Sequence, residues 1–522
     1  MANAQLFSGT RGRLMPAADT VNLAGGAAYA MPGRDALAQL AATGCLSGTY
    51  YATAQGQLDS VIALLQSPDV TPDFVARLAV YARQRAAMKD MPALLLAWLA
   101  INSPADFDRA APHVLDKGRM VRNLVQILRS GALGRKSIPH CARRMLRRWL
   151  LTESVFSLVH ASIGQDPSLA DVIKMVRPKT PDPERNALLR WIMAKEVDAA
   201  LLPPDVRAFD AMKRGEVVEI PNMPHEMLVS LPLTVAQWKV IASRMGWQAL
   251  RMNLATLKRH GALDDAEIVA DVARRLGDRD AVAKAKAFPH QLFMAFLHAD
   301  APMPIMLALQ DALDASLDNV PSIEGKVAVC VDISGSMQSP ITGDRPGATS
   351  KARCVDVAAL IASATLRKNP SASVIVFNTA AGVANLNPRD SVATNARALA
   401  SLLGGGTAVS VGIACAAQFD PDVVIVVSDN ESWRDPPVPA VGLMPRATQS
   451  AVQWAALRSR RPRARVVCID LTPNVTTQVA NAPNEILNVG GWNDACFQLL
   501  ADFASGKMGA GAWAAEIEKV EI

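Results

Sequence analysis

Five oxygen-bearing side chains raise the first chemical question. Asp332, Ser334 and Ser336 form a DxSxS directly after the apolar run Val327 to Val331. Thr407 follows the glycines at 404 to 406, and Asp429 follows the apolar run Val423 to Val427 within Ser428-Asp429-Asn430-Glu431. A hard divalent cation takes oxygen ligands in near-octahedral array and keeps some waters, so hydroxyls and one or two carboxylates suffice to hold it. Alone, DxSxS is equally a polar glycine turn after a strand. The two further loops favour the metal, because open α/β sheets bind ligands beyond the carboxyl ends of their strands. A set with no His or Cys fits Mg²⁺ or Mn²⁺ and not zinc.

The same stretch argues against hydrolysis. All seven histidines lie at or before His298, and the C-terminal part has no GxSxG, so a Ser–His hydrolase is excluded there. A metal-dependent nuclease would need a general base, and Glu431 is the one nearby candidate.

The elements that must position these residues follow from periodicity. From Lys326 onward, β-branched runs (Val327 to Val331, Val374 to Phe377, Val423 to Val427, Val466 to Ile469, Ile486 to Val489) alternate with helical stretches at 354 to 367 and 449 to 460. Continuous apolar strands separated by helices predict a mostly parallel, doubly wound sheet covered on both faces. Before about residue 315 the pattern is helical. Leu58, Ile62 and Leu65 share one stripe, Phe74, Leu78 and Tyr81 the next, and Leu95, Leu99 and Ile101 lie near a third. Short amphipathic helices in tandem suggest a HEAT-like stack, with a plain bundle as the alternative. The expected division is a helical domain over 1–321 and an α/β domain over 322–522.

At 522 residues, 50% hydrophobic and 20% charged, the chain can bury two cores. There is no basic segment leading an apolar one at the start and no run of eighteen apolar residues, so a cytoplasmic protein that neither is secreted nor spans a membrane is expected. Seven scattered cysteines without a CxxC pair read as reduced thiols, neither a zinc site nor a disulfide framework.

The net charge of +6 is modest, but residues 109 to 148 carry eleven Lys and Arg against one acid, Asp116. Within Cys141 to Leu150, the helical step puts Arg143, Arg144, Arg147 and Arg148 on one face and Met145, Leu146, Trp149 and Leu150 on the other. Such a face either grips phosphates, which guanidinium suits, or is solvated and neutralised by acids elsewhere in the fold. Arg129, Lys136, Arg177, Lys179, Lys284, Lys286 and the pair Arg251 and Lys258, seven apart on one helix face, would extend the basic path. With aromatics at 5%, contact should be phosphate-directed and tolerant of sequence.

Asp332, Ser334, Ser336, Thr407 and Asp429 resemble the metal-ion-dependent adhesion site of von Willebrand A domains, binding modules in which an acidic group of a partner commonly supplies the last ligand. Asn22-Leu23-Ala24-Gly25-Gly26, the stretch 171 to 179, Arg251 to Leu257 and Ala287-Phe288-Pro289-His290, in this order before such a domain, resemble the TROVE architecture of Ro ribonucleoproteins, bacterial members in particular. That resemblance implies a ring of HEAT-like repeats closed by the A domain. It implies a non-catalytic, monomeric binder of small Y-like RNAs and of single-stranded ends of misfolded RNAs, acting in RNA quality control or repair beside an exoribonuclease or RNA-repair enzyme. The run Ser157 to Ala170, which has no Lys or Arg, departs from a Y-RNA surface. A second class stays open: a metal-dependent protein–protein module serving an ATPase or another partner.

Overall fold

The computed structural model describes residues 16–522 except 45, 217–218, 286–288, 318–319, 321, 344–351, 403, 437–446, 483, 492–499, 501 and 507–511. Lys286, Ala287 and Phe288, two of the residues at the expected domain boundary (Asn319 and Pro321), and Cys45 and Cys496 lie outside the described residues. The other five cysteines are free thiols.

The α/β unit is built on parallel strands that are almost wholly apolar because both sheet faces are covered. β3 (Val327–Asp332), β4 (Ser373–Phe377), β6 (Val423–Ser428), β7 (Arg465–Asp470) and β9 (Ile486–Gly490) run parallel, and β5 (Ala381–Val383) adds an antiparallel edge, in the order β5-β4-β3-β6-β7-β9. Every residue of β3 and β6 is buried. From β3 the chain passes first to β4 on one side and then back to β6 on the other, so the winding reverses at β3 and β6. A crevice therefore opens at their carboxyl ends.

A three-stranded sheet joins this unit to the start of the chain. β1 (Thr20–Val21) pairs with β2 (Ala27–Ala30), and β2 pairs with β8 (Thr476–Thr477), Tyr29 opposite Thr477. The compact units are accordingly discontinuous. One holds Met1–Leu40, Ser47–Leu58 and Asn319–Ala514, and the other Ala41–Leu46, Asp59–Asp318 and Ala515–Ile522. Sequence pattern had placed all of 1–321 with the helices and all of 322–522 with the sheet. A short Ala-rich strand and its partner some 450 residues away leave no local periodic signal, which is why the first forty residues were placed differently. At the other terminus, Arg77 Nη1 donates to the Glu518 and Val520 carbonyls within the helical unit.

The helices relevant to the basic face follow α1 (Gly33–Thr43) and α2 (Ala54–Leu64). They are α3 (Pro72–Gln84), α4 (Asp90–Asn102), α5 (Pro104–Val114), α6 (Gly118–Ser130), α7 (His140–Thr152), α8 (Val155–Ala161) and α9 (Leu169–Val176). Pro72 and Pro104 each open a helix where a missing N–H costs nothing, and the Thr71 hydroxyl caps the first by accepting from Phe74 N–H. Each helix packs on others one to three places along the chain: α3 on α4 and α5, α4 on α5 and α6, α5 on α7, α6 on α8 and α9, α7 on α9. Repeated short-range contact of this kind is the pattern of stacked helices. Among the described residues no helix is long and apolar enough to cross a membrane.

The α6 to α8 contact is close enough to test. A Cβ on Gly118 would stand 2.0 Å from Ala161 Cβ and 2.8 Å from its Cα. Gly118→Ala should destabilise the protein by about 1–3 kcal/mol through overpacking, read as a lowered urea midpoint.

Candidate metal centre and nucleic-acid interface

β3 delivers Asp332, its last residue, to the crevice, and the loop beyond it folds back onto that carboxylate. Ser334 N–H donates to Asp332 Oδ1 at 2.8 Å, and the Ser428 hydroxyl, from the end of β6, donates to Oδ2 at 2.6 Å. Ser334 Oγ and Ser336 Oγ stand 3.3 Å apart, and Ser336 also hydrogen-bonds the Asp429 carboxyl. The glycine loop is tied in by backbone bonds: Gly404 N–H to Ile333 O (3.1 Å) and Gly335 N–H to Gly405 O (3.0 Å). Glycine is required for that approach, since a Cβ on Gly406 would lie 2.7 Å from Arg434 Cγ and 3.0 Å from the Trp433 ring. Thr407 follows, buried, its carbonyl accepting from the N–H groups of Trp433 and Arg434. The loops bearing Asp332, Ser334, Ser336, Thr407 and Asp429 thus meet, and each of the five is no more than 5% exposed.

Buried carboxylates set the electrostatics at this end of the sheet. Burial, reinforced by Asp429, pushes the Asp332 carboxyl up to about 7, and burial raises Asp429 as well. Burial pushes Glu431 up to about 7 and holds Asp470, at the end of β7, well above the usual carboxylate range. Among the described residues no Lys or Arg forms an ion pair with any of these four. Buried carboxylates gathered without counter-charge are costly, and a divalent cation relieves that cost directly. Two carboxylates and three hydroxyls suit Mg²⁺ or Mn²⁺ with water completing the shell. Among the described residues no three His, Cys, Asp or Glu stand together to hold a metal, so hydroxyls would have to share the ligation here. Sequence reasoning did not anticipate Ser428, which holds Asp332, or Asp470.

Glu431, the one candidate general base, is fully committed. Its Oε1 accepts from Asn474 Nδ2 and its Oε2 from Ala24 N–H at 3.1 Å. Its position serves the architecture of the loop.

On the helical unit, α7 takes the expected amphipathic form. Cys141, Ala142, Leu146, Trp149 and Leu150 are buried, Met145 is half-buried, and Arg144, Arg147 and Arg148 are exposed with Arg143 partly so. Arg143 and Arg148 have no carboxylate within 4.0 Å among the described residues, nor do the exposed Arg129, Lys136, Arg177 and Lys179. Arg129 Nη1 donates to the Lys136 carbonyl at 3.0 Å. Arg147 Nε donates to the Val176 carbonyl, leaving its terminal amino groups outward, and Arg144 pairs with Asp108.

The second basic cluster does not form as expected. Asn253 separates the helices Trp247–Met252 and Leu254–Arg259, its side-chain amide donating to Ala249 O at 2.8 Å, so Arg251 and Lys258 share no continuous helix face. Arg251 is enclosed, bonding Gln291 O and Gln248 Oε1, and burial lowers its pKa. Lys258 pairs with Asp300.

Comparison with known proteins defines the class. Residues 168–302 match the family model of the TROVE domain, and residues 326–504 match that of the Ro60 vWA domain. A curated relative, "RNA-binding protein RO60" of Deinococcus radiodurans, is 26% identical over 525 residues, which cover 93% of this chain and 95% of the relative. The crystal structure of the Deinococcus radiodurans RO (RSR) protein has the same fold, with a TM-score of 0.60 at 23% identity over 91% of this chain and all of that one. The architecture is therefore a TROVE unit followed by a von Willebrand A domain. Over both matched segments the chain is similar to Ro proteins, a non-catalytic RNA-binding family. Helix α7 precedes the matched TROVE segment, so its arginines are judged on geometry alone.

A divalent cation held by Asp332 would compete there with protons. Carboxyls pushed upward hold more protons folded than unfolded, so without metal the fold loses stability as pH climbs from the ordinary carboxylate range toward 7, and a cation restores it. Mn²⁺ should therefore raise the melting temperature more at about pH 8 than at about pH 5.5. Asp332→Ala should abolish the rise at both, as followed by differential scanning calorimetry. An equal rise at the two pH values would remove these carboxylates from the metal site.

Proposed function

We propose that this protein binds RNA through phosphate contacts centred on α7, as a non-catalytic ribonucleoprotein component. The observation that carries this reading is the outward face of that helix, where Arg143 and Arg148 have no carboxylate partner and Arg147 leaves its terminal amino groups free for an anion. Exposed cations without a partner keep their charge available to a polyanion, and guanidinium pairs bidentately with phosphate. Lys136, Arg129, Arg177 and Lys179 extend the open charge, whereas Arg144, Arg251 and Lys258 spend theirs on internal partners. The name of the Deinococcus relative, an RNA-binding protein, supports the same assignment.

The RNA class proposed is a small structured RNA of the Y-like kind together with single-stranded ends of misfolded RNAs. Contact to phosphate tolerates any sequence, so selection would rest on shape and on free ends. The role that follows is RNA quality control or repair in the cytoplasm, as a monomer that presents RNA to an exoribonuclease or a repair enzyme. Mg²⁺ or Mn²⁺ bound by Asp332, Ser334, Ser336, Thr407 and Asp429 would neutralise the A-domain crevice. No step of RNA binding is routed through it.

Filter-binding titrations with a single-stranded RNA at several salt concentrations test the reading. Arg143→Ala with Arg148→Ala should weaken binding and make the log–log salt slope shallower by about 1.4, at about 0.7 per lost phosphate contact. Lys258→Ala should leave both nearly unchanged. If the double variant keeps wild-type affinity and slope, α7 is not the RNA site.

A further inference from the structure

The Asn22-Leu23-Ala24-Gly25-Gly26 stretch supplies none of the candidate ligands or basic groups, yet the structure gives it a definite task. It folds into a tight knuckle. Asn22 Oδ1 accepts from Ala24 N–H (3.1 Å) and Gly26 N–H (2.7 Å), and Asn22 N–H donates to Gly26 O (2.8 Å). Gly25 sits at φ +83°, where glycine has no steric penalty. Gly26 has room for nothing more than hydrogen, because a Cβ there would be 2.0 Å from Ser432 O.

The knuckle is seated on the loop that carries Asp429. Asn22 Nδ2 donates to Ser432 O at 3.0 Å, and Ala24 N–H reaches Glu431 Oε2. One residue nearer to Asp429, Asn430 is held at φ +64°, with its Nδ2 donating to Thr476 O at 2.9 Å in the strand that pairs with β2. The Gln478 side chain donates to Asn430 O, also at 2.9 Å. Asn22, Asn430, Glu431 and Ser432 are all at most 7% exposed. A second point of contact comes from the turn after α1, closed by Thr49 N–H to Ala52 O at 2.8 Å. That turn presents Tyr51, whose hydroxyl hydrogen-bonds Ser336. Tyr51, Asp429 and Ser334 Oγ, the last 3.3 Å away, thus all engage Ser336 and restrict where its hydroxyl can aim.

We propose that the N-terminal strap, residues 19–30 with the turn at 47–52, is a working part of the metal centre: the knuckle at Asn22–Gly26 fixes the Asp429 loop, Tyr51 orients Ser336, and seating of the strap and binding of a divalent cation are linked. The proposal rests on the assignment of the five metal ligands. By linkage, whatever factor the seated strap adds to metal affinity, bound metal adds to the seating of the strap. Asn22 and Tyr51 are positioning residues that touch no metal, so their effect runs through Asp429 and Ser336.

The test uses the full chain and Mn²⁺ alone as the probe. In the wild type, Mn²⁺ should slow hydrogen exchange of the amides at 22–30, a readout that needs no variant, and Asp332→Ala should lose that protection. In electron paramagnetic resonance titrations, Asn22→Ala and Tyr51→Phe should each weaken Mn²⁺ binding about 5- to 10-fold, the lower part of the usual coupling range. Mn²⁺ that binds the wild type without slowing exchange of 22–30, or affinities in both variants within twofold of wild type, would overturn the coupling while leaving the metal site standing. Failure of the wild type to bind Mn²⁺ would overturn both.

Discussion

Four carboxylates buried at the carboxyl ends of adjacent strands, with no basic side chain paired to them among the described residues, are the constraint on which the α/β unit turns. Burial opposes the ionised form of Asp332, Asp429, Glu431 and Asp470 alike. The chain answers with hydroxyl and amide donors: Ser428 and the Ser334 N–H on Asp332, Ser336 on Asp429, and Asn474 and the Ala24 N–H on Glu431. Hydrogen bonds of this kind favour a carboxylate but leave its net charge in place. A cation would neutralise it, and the proposed ligand set accordingly adds hydroxyls and no further acids to Asp332 and Asp429.

The helical unit solves the opposite problem. On α7 the charges are positive and face water, so solvent screens them and the fold tolerates them unpaired. Some are nonetheless used internally, Arg144 on Asp108 and Arg147 on the Val176 carbonyl, so even one helix face divides between binding and packing. The distinction matters because a cation already bonded must give up that bond before it can meet a phosphate, and it then contributes little net affinity.

Much of this was legible in the sequence, for a physical reason. Strands buried on both faces need continuous β-branched runs, so β3, β6 and β7 stood out to within a residue at each end, and the helix Gln449–Arg460 did too. The five candidate ligands were legible because each lies in a polar loop directly after an apolar strand or a glycine run. What escaped was whatever depends on distant partners. Ala381–Val383 has three residues and no pattern, the β2–β8 pairing spans most of the chain, and Asp108 lies 36 residues from the arginine it neutralises. Arg251 and Lys258 show the limit of spacing rules. Seven residues place two side chains on one face only while the helix continues, and at Asn253 it stops.

The discontinuity of the two units carries a consequence for how the chain is made. During synthesis the knuckle at Asn22–Gly26 leaves the ribosome about 400 residues before Ser432, the backbone it will embrace, and β2 appears long before Thr476 and Thr477, which will zip onto it. Until then an Ala-rich edge of backbone donors and acceptors waits without its mate, a template for mispairing. The strand is four residues long, which keeps that interval of exposure tolerable, and its second edge is closed only once Thr476 and Thr477 have emerged.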